Sequence, residues 1–359
     1  MATTEGWNIP EDLIVNEILI RLPVKSLLRF RCVCKAWRSA ISNRDLIKSH
    51  RQHSQSKVHL LHGGSHSVPP GAGGGFINIE RLNEEGKSEY YYRLPSTQKY
   101  GILNSSHDLV ALINKDGYML SNPAMQDLVY LPRPPSWGVG VGGFLVTGFG
   151  LVSSHGKYKV VNIRCNNDTE DICEVFTVGI DNSWRKGKSP PSPLCPHDHT
   201  PYVDGNLHMV SLESKGSWNV MAILQFNLEK EAWSVMALPD ETKYIRWDVK
   251  LREIQGLLSF TCCNLEKSIE IWMLRDYANK VWSKDFVIDI TPSGGGRNLG
   301  IVFFVFPLEV MTDGRILLQM SGPEWFYFDP RDGRSQLADQ KDFSATAIYA
   351  ENLVPVLGF

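Results

Sequence analysis

Residues 9–41 read IPEDLIVNEILIRLPVKSLLRFRCVCKAWRSAI. Pro10 suits the first turn of a helix, where its missing N–H has no partner to lose, and Glu11 and Asp12 suit the positive end of the helix dipole. Pro23 cannot continue a helix, so the helix is predicted to break there. Between the two prolines, apolar residues recur at helical spacing and predict one apolar face: Leu13, Ile14, Ile18, Leu19 and Leu22.

Two further short helices are predicted after the break. Their apolar positions are Val24, Leu27, Leu28 and Phe30 in one, and Val33, Trp37 and Ile41 in the other. Helices this short are marginal alone, and a domain of about 45 residues has little core. The surplus apolar side chains therefore pack either on the rest of the chain or on a partner, where each would contribute roughly 1.5–3 kcal/mol. Spacing alone leaves both possibilities open.

The order of residues in this stretch resembles the F-box of plant F-box proteins. The matching parts are Ile9-Pro10, Glu11-Asp12-Leu13, Ile18-Leu19, residues 21–27 (RLPVKSL), residues 29–35 (RFRCVCK) and Trp37. The match covers about 40 residues without a gap. It departs from the family pattern at Ile9, where Leu is commoner, and at Ile20, where a polar residue is usual.

The resemblance implies a binding partner. F-boxes dock on a Skp-type adaptor, which links them to the cullin and RING subunits of a ubiquitin ligase, and an apolar helix face in a groove suits such docking. Carried over by position, the adaptor-binding residues would be Pro10, Leu13, Ile14, Ile18, Leu19, Leu22, Pro23, Leu27, Val33 and Trp37. Residues 1–57 carry ten Lys and Arg against five Asp and Glu, which only weakly indicates an acidic partner because a basic helical arm is usually a solvated surface.

Composition places the whole chain among ordinary globular proteins. Its 359 residues allow two or three domains, and its net charge of −2 gives no reason to expect nucleic acid or a membrane surface. No apolar run is long enough to cross a bilayer, and we expect no secretory leader, so a nuclear or cytoplasmic location, or both, is expected. The seven cysteines are odd in number and lack Cys-x-x-Cys spacing, which favours free thiols over disulfides or zinc.

Short β runs separated by turns begin at residue 58. Trp184, Trp233 and Trp282 each follow an apolar strand and a polar turn, at successive separations of 49 residues. A period near 50 made of strands is typical of a kelch-like β-propeller. The repeats predict about six irregular blades, and the fold class is mainly β with a small all-α N-terminal domain.

This region also resembles a family, the F-box-associated domain that follows the F-box in many plant proteins. The quoted matches, spread over roughly residues 100–335, include residues 120–124 (LSNPA), 148–150 (GFG), 158–161 (YKVV), 203–208 (VDGNLH) and 270–274 (EIWML). Asp108 stands where the family usually has Gly, so the first strand could turn differently. We expect an F-box domain at 1–57, connecting strands and a Gly/Ser/Pro loop at 58–100 that could form a first blade, and the kelch-like domain at 101–359.

Signals for catalysis or cofactor binding are weak. Residues 71–75 and 138–143 are Gly-rich but lack the Lys-Ser/Thr of a phosphate-binding loop. His197 and His199 form a His-x-His pair inside the Pro-rich residues 189–201, where a polar loop is favoured over a metal site. No hydrolase, metalloprotease or kinase motif is present. We therefore expect a non-enzymatic protein without metal or cofactor.

Two functions from different classes remain. In the first, the helical arm binds a Skp-type adaptor, and through it cullin and RING subunits, while the propeller holds a protein target for ubiquitination; a variant of it is an F-box protein that works outside a ligase. In the second, the propeller is an enzyme or a ligand- or sugar-binding module, and the helices only pack. Target contacts are expected from loops at one end of the blades: 132–143, 166–171, 189–201, 214–218, 244–248 and 293–298. Trp137, Trp218 and Trp247 are the candidate aromatic anchors, although a partly buried packing role is favoured for each of them.

Overall fold

The computed structural model describes residues 13–54, 58–65, 75–82, 88–96, 101–105, 109–114, 116–137, 143–166, 170–196, 200–217, 219–239, 249–264, 268–289, 305–311, 313–320, 325–337 and 346–357. The N-terminal part is helical, as predicted. A π-helical turn, Ile14–Ile18, runs into a 3-10 turn, Leu19–Arg21. Three helices follow: α1 (Val24–Phe30), α2 (Lys35–Ile41) and α3 (Arg44–Ser54).

Local hydrogen bonds fix where these helices begin. The carbonyl of Pro23 accepts the N–H groups of Ser26 at 2.9 Å and Leu27 at 3.1 Å, so the proline that ends one helical turn starts the next helix. Cys34 Sγ accepts the Trp37 N–H at 3.4 Å at the start of α2. His50 of α3 lies with its Nε2 2.9 Å from the Leu22 carbonyl oxygen, which ties α3 to the break.

The described strands form six four-stranded antiparallel sheets, which we number as blades in chain order. Blade 1 contains β1 (Val58–Ser65), β2 (Gly75–Leu82), β3 (Ser88–Ser96) and the last strand, β24 (Thr346–Ala350). Blade 2 contains β4 (Gly101–Ser105), β5 (Val110–Asn114), β6 (Gly117–Asn122) and β7 (Asp127–Tyr130). Blade 3 contains β8 (Gly143–Val152), β9 (Lys157–Asn166), β10 (Ile172–Thr177) and β11 (Arg185–Lys186).

The remaining blades continue the same order. Blade 4 contains β12 (Tyr202–Val203), β13 (Asn206–Leu212), β14 (Val220–Asn227) and β15 (Ala232–Met236). Blade 5 contains β16 (Lys250–Ile254), β17 (Leu257–Asn264), β18 (Ser268–Asp276) and β19 (Val281–Asp289). Blade 6 contains β20 (Val305–Val310), β21 (Ile316–Met320), β22 (Trp325–Asp329) and β23 (Arg334–Leu337). First strands of successive blades contact one another, for example β4 with β8 and β16 with β20, as expected for inner strands around an axis.

Blade 1 is built from both ends of the propeller sequence. β24 pairs with β1, with Val58 opposite Ala350, so the chain's last strand completes its first sheet. Residues 58–96 therefore supply three strands of a blade and are more than a connection.

Two of the three periodic tryptophans play equivalent structural roles in successive blades. Trp184 and Trp233 donate their indole N–H groups to the carbonyls of Pro132 at 2.6 Å and Lys188 at 2.7 Å, each in the connection from the preceding blade. Trp233 also packs edge-on against Phe226, with ring centroids 4.9 Å apart. Trp282 differs, because its indole N–H is buried without a hydrogen-bond partner among the described residues and its ring lies edge-on to Phe260 at 6.3 Å. The inter-blade hydrogen bond thus accounts for the first two positions of the repeat.

The two ends of the propeller differ. Because each blade has four antiparallel strands, its first strand begins and its fourth strand ends at the same end of the sheet. The connections between blades, whose described parts include residues 131–137 and 187–196, emerge there, and we call this end the loop face. The opposite end, the arm face, carries tight turns such as 153–156 and the C-terminal segment 351–357. The ten-residue strand β8 separates the two faces by about 33 Å.

The helical arm and the arm face share one hydrophobic core. Its buried helical members are Leu19, Val24, Leu27, Ile41, Leu46 and Ile47. Its members from blades 2 and 3 and the C-terminal segment include Leu109, Tyr118, Leu120, Phe149, Tyr158, Leu353, Val354 and Val356. Some of the apolar side chains that the short helices cannot bury among themselves therefore pack against the rest of the same chain.

Ion pairs join blades 3 and 4 at the arm face. Glu231, in the turn after β14, accepts hydrogen bonds from Arg185 Nη2 at 2.7 Å and Lys159 Nζ at 2.8 Å. Hydrogen bonding to Arg185, followed by the contact with Lys159, lowers the pKa of Glu231 from 4.5 to about 2.

We expect Glu231→Gln to lower the free energy of unfolding by about 2 kcal/mol at pH 7, because charged hydrogen-bond partners lose their acceptor. A carboxylate whose pKa is depressed on folding stabilises the fold above its unfolded pKa and loses that contribution as the pH falls toward its folded pKa. The difference between variant and parent should thus shrink from about pH 4.5 to about 2. Urea unfolding at several pH values tests this. Glu17→Gln, in an exposed pair with Arg21, is the control and should change stability by less than about 1 kcal/mol.

Candidate functional site

Several predicted adaptor-binding residues are apolar and exposed on the helical arm, and we call this set of residues the arm patch. Leu13, Ile18 and Val33 are 50%, 43% and 62% exposed, and Pro23 is also exposed. Large aliphatic side chains left this accessible would lose contact with water on docking, which favours association. Ile14, Leu22 and Trp37 are half-buried beside the shared core, and Trp37 packs edge-on against Phe30 at 5.3 Å.

Leu19 and Leu27 do not belong to the arm patch. Both side chains are fully buried in the shared core, so the direct adaptor contact that the resemblance implied for them does not fit this structure. They are part of the shared hydrophobic core instead. Pro10 lies outside the described residues.

The helical arm also carries exposed basic side chains. Those of α1, α2 and α3 are Lys25, Arg29, Lys35, Arg38, Arg44 and Lys48. Arg21 is partly neutralised by Glu17 across 2.8 Å, but both side chains are about 60% exposed and such pairs contribute little. The arm therefore presents both exposed apolar side chains and exposed positive charge.

Among the predicted target anchors, only Trp137 lies within the described residues. It is half-buried at the loop face and packs edge-on against Tyr118, with ring centroids 5.2 Å apart. The structure thus gives Trp137 a packing role, and its contact with a target stays a prediction. Trp218 and Trp247 lie outside the described residues.

A buried polar network holds the segment that carries Trp137. The Tyr118 hydroxyl donates to Asn162 Oδ1 at 2.6 Å, and Asn162 Nδ2 donates to Glu174 Oε2 at 2.9 Å. Ser136 donates both its N–H and its hydroxyl to the Glu174 carboxylate. Burial raises the pKa of Tyr118, so the phenol stays a donor. This network fixes part of the loop face on the rigid blades.

The structure also shows a pocket that sequence reasoning did not identify as such. A cavity of about 190 Å³ opens between blades 3 and 4 near the loop face. It is lined by Phe144, Cys165, Asn166, Asp171, Pro193, Leu194, Pro196, Leu212, Lys215, Gly216 and Ser217. Three of the six candidate loops contribute residues to it: 166–171, 189–201 and 214–218. Loop composition therefore indicated the segments that line the pocket, but not that these segments lie together.

The described residues offer little for catalysis. They contain no group of three or more His, Cys, Asp or Glu side chains placed to hold a metal, while the His197–His199 pair lies outside them. The cysteines described there are free thiols, and burial raises the pKa of Cys173 to about 12, which keeps it protonated. Within the part of the chain that the structure covers, no helix is long and apolar enough to cross a membrane.

The fold is a β-propeller preceded by a short helical domain. The F-box domain model matches residues 8–49, and the F-box associated beta propeller domain model matches residues 76–331. The chain therefore belongs to the F-box proteins with an F-box associated beta propeller domain, as the sequence resemblance predicted.

Relatives agree with this assignment. An F-box protein of Arabidopsis thaliana is 28% identical over 299 residues, covering 77% of this chain and 71% of the relative. An F-box/kelch-repeat protein from the same plant is 24% identical over 331 residues, covering 87% and 85%. Among solved structures, the Dos1 propeller aligns over 75% of this chain and 67% of its own with 11% identity and a TM-score of 0.38, from which no function follows.

Proposed function

We propose that this chain is the substrate-recognition subunit of a Skp–cullin–F-box ubiquitin ligase. In this proposal the arm patch binds a Skp-type adaptor, and through it the cullin and RING subunits, while the loop face binds a protein target. The observation that supports the proposal is an F-box arm with exposed apolar side chains that packs directly on the propeller. We also propose that the protein acts in the nucleus, in the cytoplasm or in both.

The arrangement suits a receptor that works without chemistry of its own. Docking the adaptor and the target on one chain raises the effective concentration of target lysines near the ubiquitin-carrying enzyme. That gain depends on a defined geometry between the two sites. The shared core of Leu19, Leu27, Val354 and their neighbours joins the arm to the blades by direct packing, which would hold the two sites in a defined relation.

The first test is binding of the full chain to a purified Skp-type adaptor. We expect a one-to-one complex on size-exclusion chromatography, with Kd of about 1 μM or tighter, since apolar helix faces give stable docking. The full chain is preferable to residues 58–359 because removing the arm would expose its share of the common core. A chain that stays separate from the adaptor would favour a propeller that binds a ligand or sugar, with a purely structural arm.

A further inference from the structure

The cavity between blades 3 and 4 has an apolar interior and a polar rim. Phe144 of β8 and Cys165 of β9 lie opposite each other in blade 3 and form one wall. Leu212 of β13 and Leu194 form the other, and both are less than 5% exposed. The Leu212 N–H donates to the Pro193 carbonyl at 2.8 Å, which fixes the Pro-rich segment against β13.

One side chain connects the two blades across the rim. Lys215 Nζ, in the connection after β13, donates to the carbonyl of Asn166 at 2.6 Å and to Asp171 Oδ1 at 2.9 Å, both in blade 3. The Asp171 side chain is only 7% exposed and also accepts the Asn166 N–H at 3.1 Å, whereas the Lys215 side chain is 37% exposed. Lys215 is therefore the member of this ion pair that is more accessible to solvent.

The size of the cavity restricts its occupant. Its volume of about 190 Å³ is below the roughly 300–1,000 Å³ of pockets that enclose drug-sized ligands. An apolar hole of this size suits one bulky side chain, the kind of anchor that dominates protein interfaces. Its position at the loop face, far from the arm patch, leaves it accessible while the adaptor is bound.

We infer that this cavity is the primary target-recognition pocket. It takes one bulky aliphatic side chain of an extended target segment, and a carboxylate at a nearby position of the same segment lies next to Lys215. This inference rests on the proposed receptor function and deepens it. Complementarity follows from the two observations above: the apolar walls favour a Leu-, Ile- or Met-sized group, and the Lys215 side chain, which is more exposed than that of its partner Asp171, favours an acidic neighbour over a basic one.

A peptide-display library of random nonapeptides, selected on the full chain in complex with its adaptor and again on the full chain alone, tests the inference. We expect enriched peptides to share one aliphatic residue with Asp or Glu within two positions. Ser217→Trp should fill the mouth of the pocket and lower affinity for those peptides at least about tenfold. Ser214→Trp, in the same loop but outside the pocket lining, should leave affinity unchanged.

Two further variants keep the test decisive if Ser217→Trp folds poorly. Phe144→Ala enlarges the pocket and should shift the preferred anchor from Leu toward Phe or Trp. The pair Lys215→Met with Asp171→Asn removes the rim charges together and should abolish the acidic preference while the apolar anchor is kept. Absence of any enriched peptide, or equal binding by parent, Ser217→Trp and Phe144→Ala, would overturn the inference. Loss of adaptor binding alone would overturn only the receptor proposal, because peptide selection on the free chain does not depend on it.

Discussion

We expect the triple substitution Leu13→Ala, Ile18→Ala and Val33→Ala to weaken adaptor binding by about 100-fold. Each side chain is roughly half-exposed in the free chain, so each should contribute about 1 kcal/mol when the adaptor covers it. Three such contributions sum to about 3 kcal/mol, which corresponds to about a hundredfold change in Kd. Isothermal titration calorimetry with a Skp-type adaptor measures the change.

The chain offers a matched control for this variant. Met221, Val235 and Val281 are 59%, 62% and 50% exposed on blades 4 and 5, so their replacement by Ala removes similar aliphatic groups away from the arm. We expect that control to bind the adaptor as the parent does. Equal affinity of the arm variant and the control would remove the arm patch as the docking site.

Including Leu19 in the arm variant would confuse the result. Leu19 is fully buried in the shared core, so Leu19→Ala should cost about 2–5 kcal/mol of stability through the cavity it leaves. Loss of binding would then report unfolding rather than a lost contact. The three exposed residues avoid this, and the melting temperature of the triple variant should stay close to that of the parent.

The second large effect is expected from Asn122→Ala. Asn122 is fully buried, and its Nδ2 donates to Asn352 Oδ1 at 2.9 Å and to the Val354 carbonyl at 2.8 Å. Its Oδ1 accepts the Tyr349 hydroxyl at 2.5 Å and the Ala124 N–H at 3.1 Å. Alanine would remove all four of these hydrogen bonds of the buried side chain at once, so we expect the free energy of unfolding to fall by about 3–5 kcal/mol.

The location of this network gives the variant a second consequence. Asn122 ends β6 of blade 2, whereas Asn352 and Val354 follow β24, so these bonds hold the C-terminal segment against the arm face. Backbone amides of the segment should exchange with deuterium faster in Asn122→Ala than in the parent. Asn219→Ala is the control: Asn219 is exposed and donates to Glu213 at 2.9 Å, so its loss should change stability by about 0.5 kcal/mol or less. Equal stability of the two variants would contradict the proposed role of the network.

Much of the fold followed from local sequence signals. Pro23 separates the first helical turns from α1 as its missing N–H requires, and the spacing of Trp184, Trp233 and Trp282 follows the repeat of the blades, with the same inter-blade hydrogen bond at Trp184 and Trp233. The order of residues in 9–41 was specific enough to indicate the F-box family. Each of these signals acts within one element or repeats at a fixed distance, so a single sequence displays it.

Other features required the tertiary structure. Leu13 and Leu19 lie on one predicted apolar stripe, yet one is half-exposed and the other fully buried, because periodicity defines a helix face but not what covers it. The pairing of β24 with β1 joins residues nearly three hundred positions apart, and no local pattern encodes such contacts. The pocket arises in the same way, since Phe144, Leu194 and Lys215 come from separate segments that meet only when blades 3 and 4 pack. The helices and strands, the repeat and the family can thus be inferred from local sequence, whereas packing between distant segments sets which apolar side chains remain exposed and which segments line the pocket.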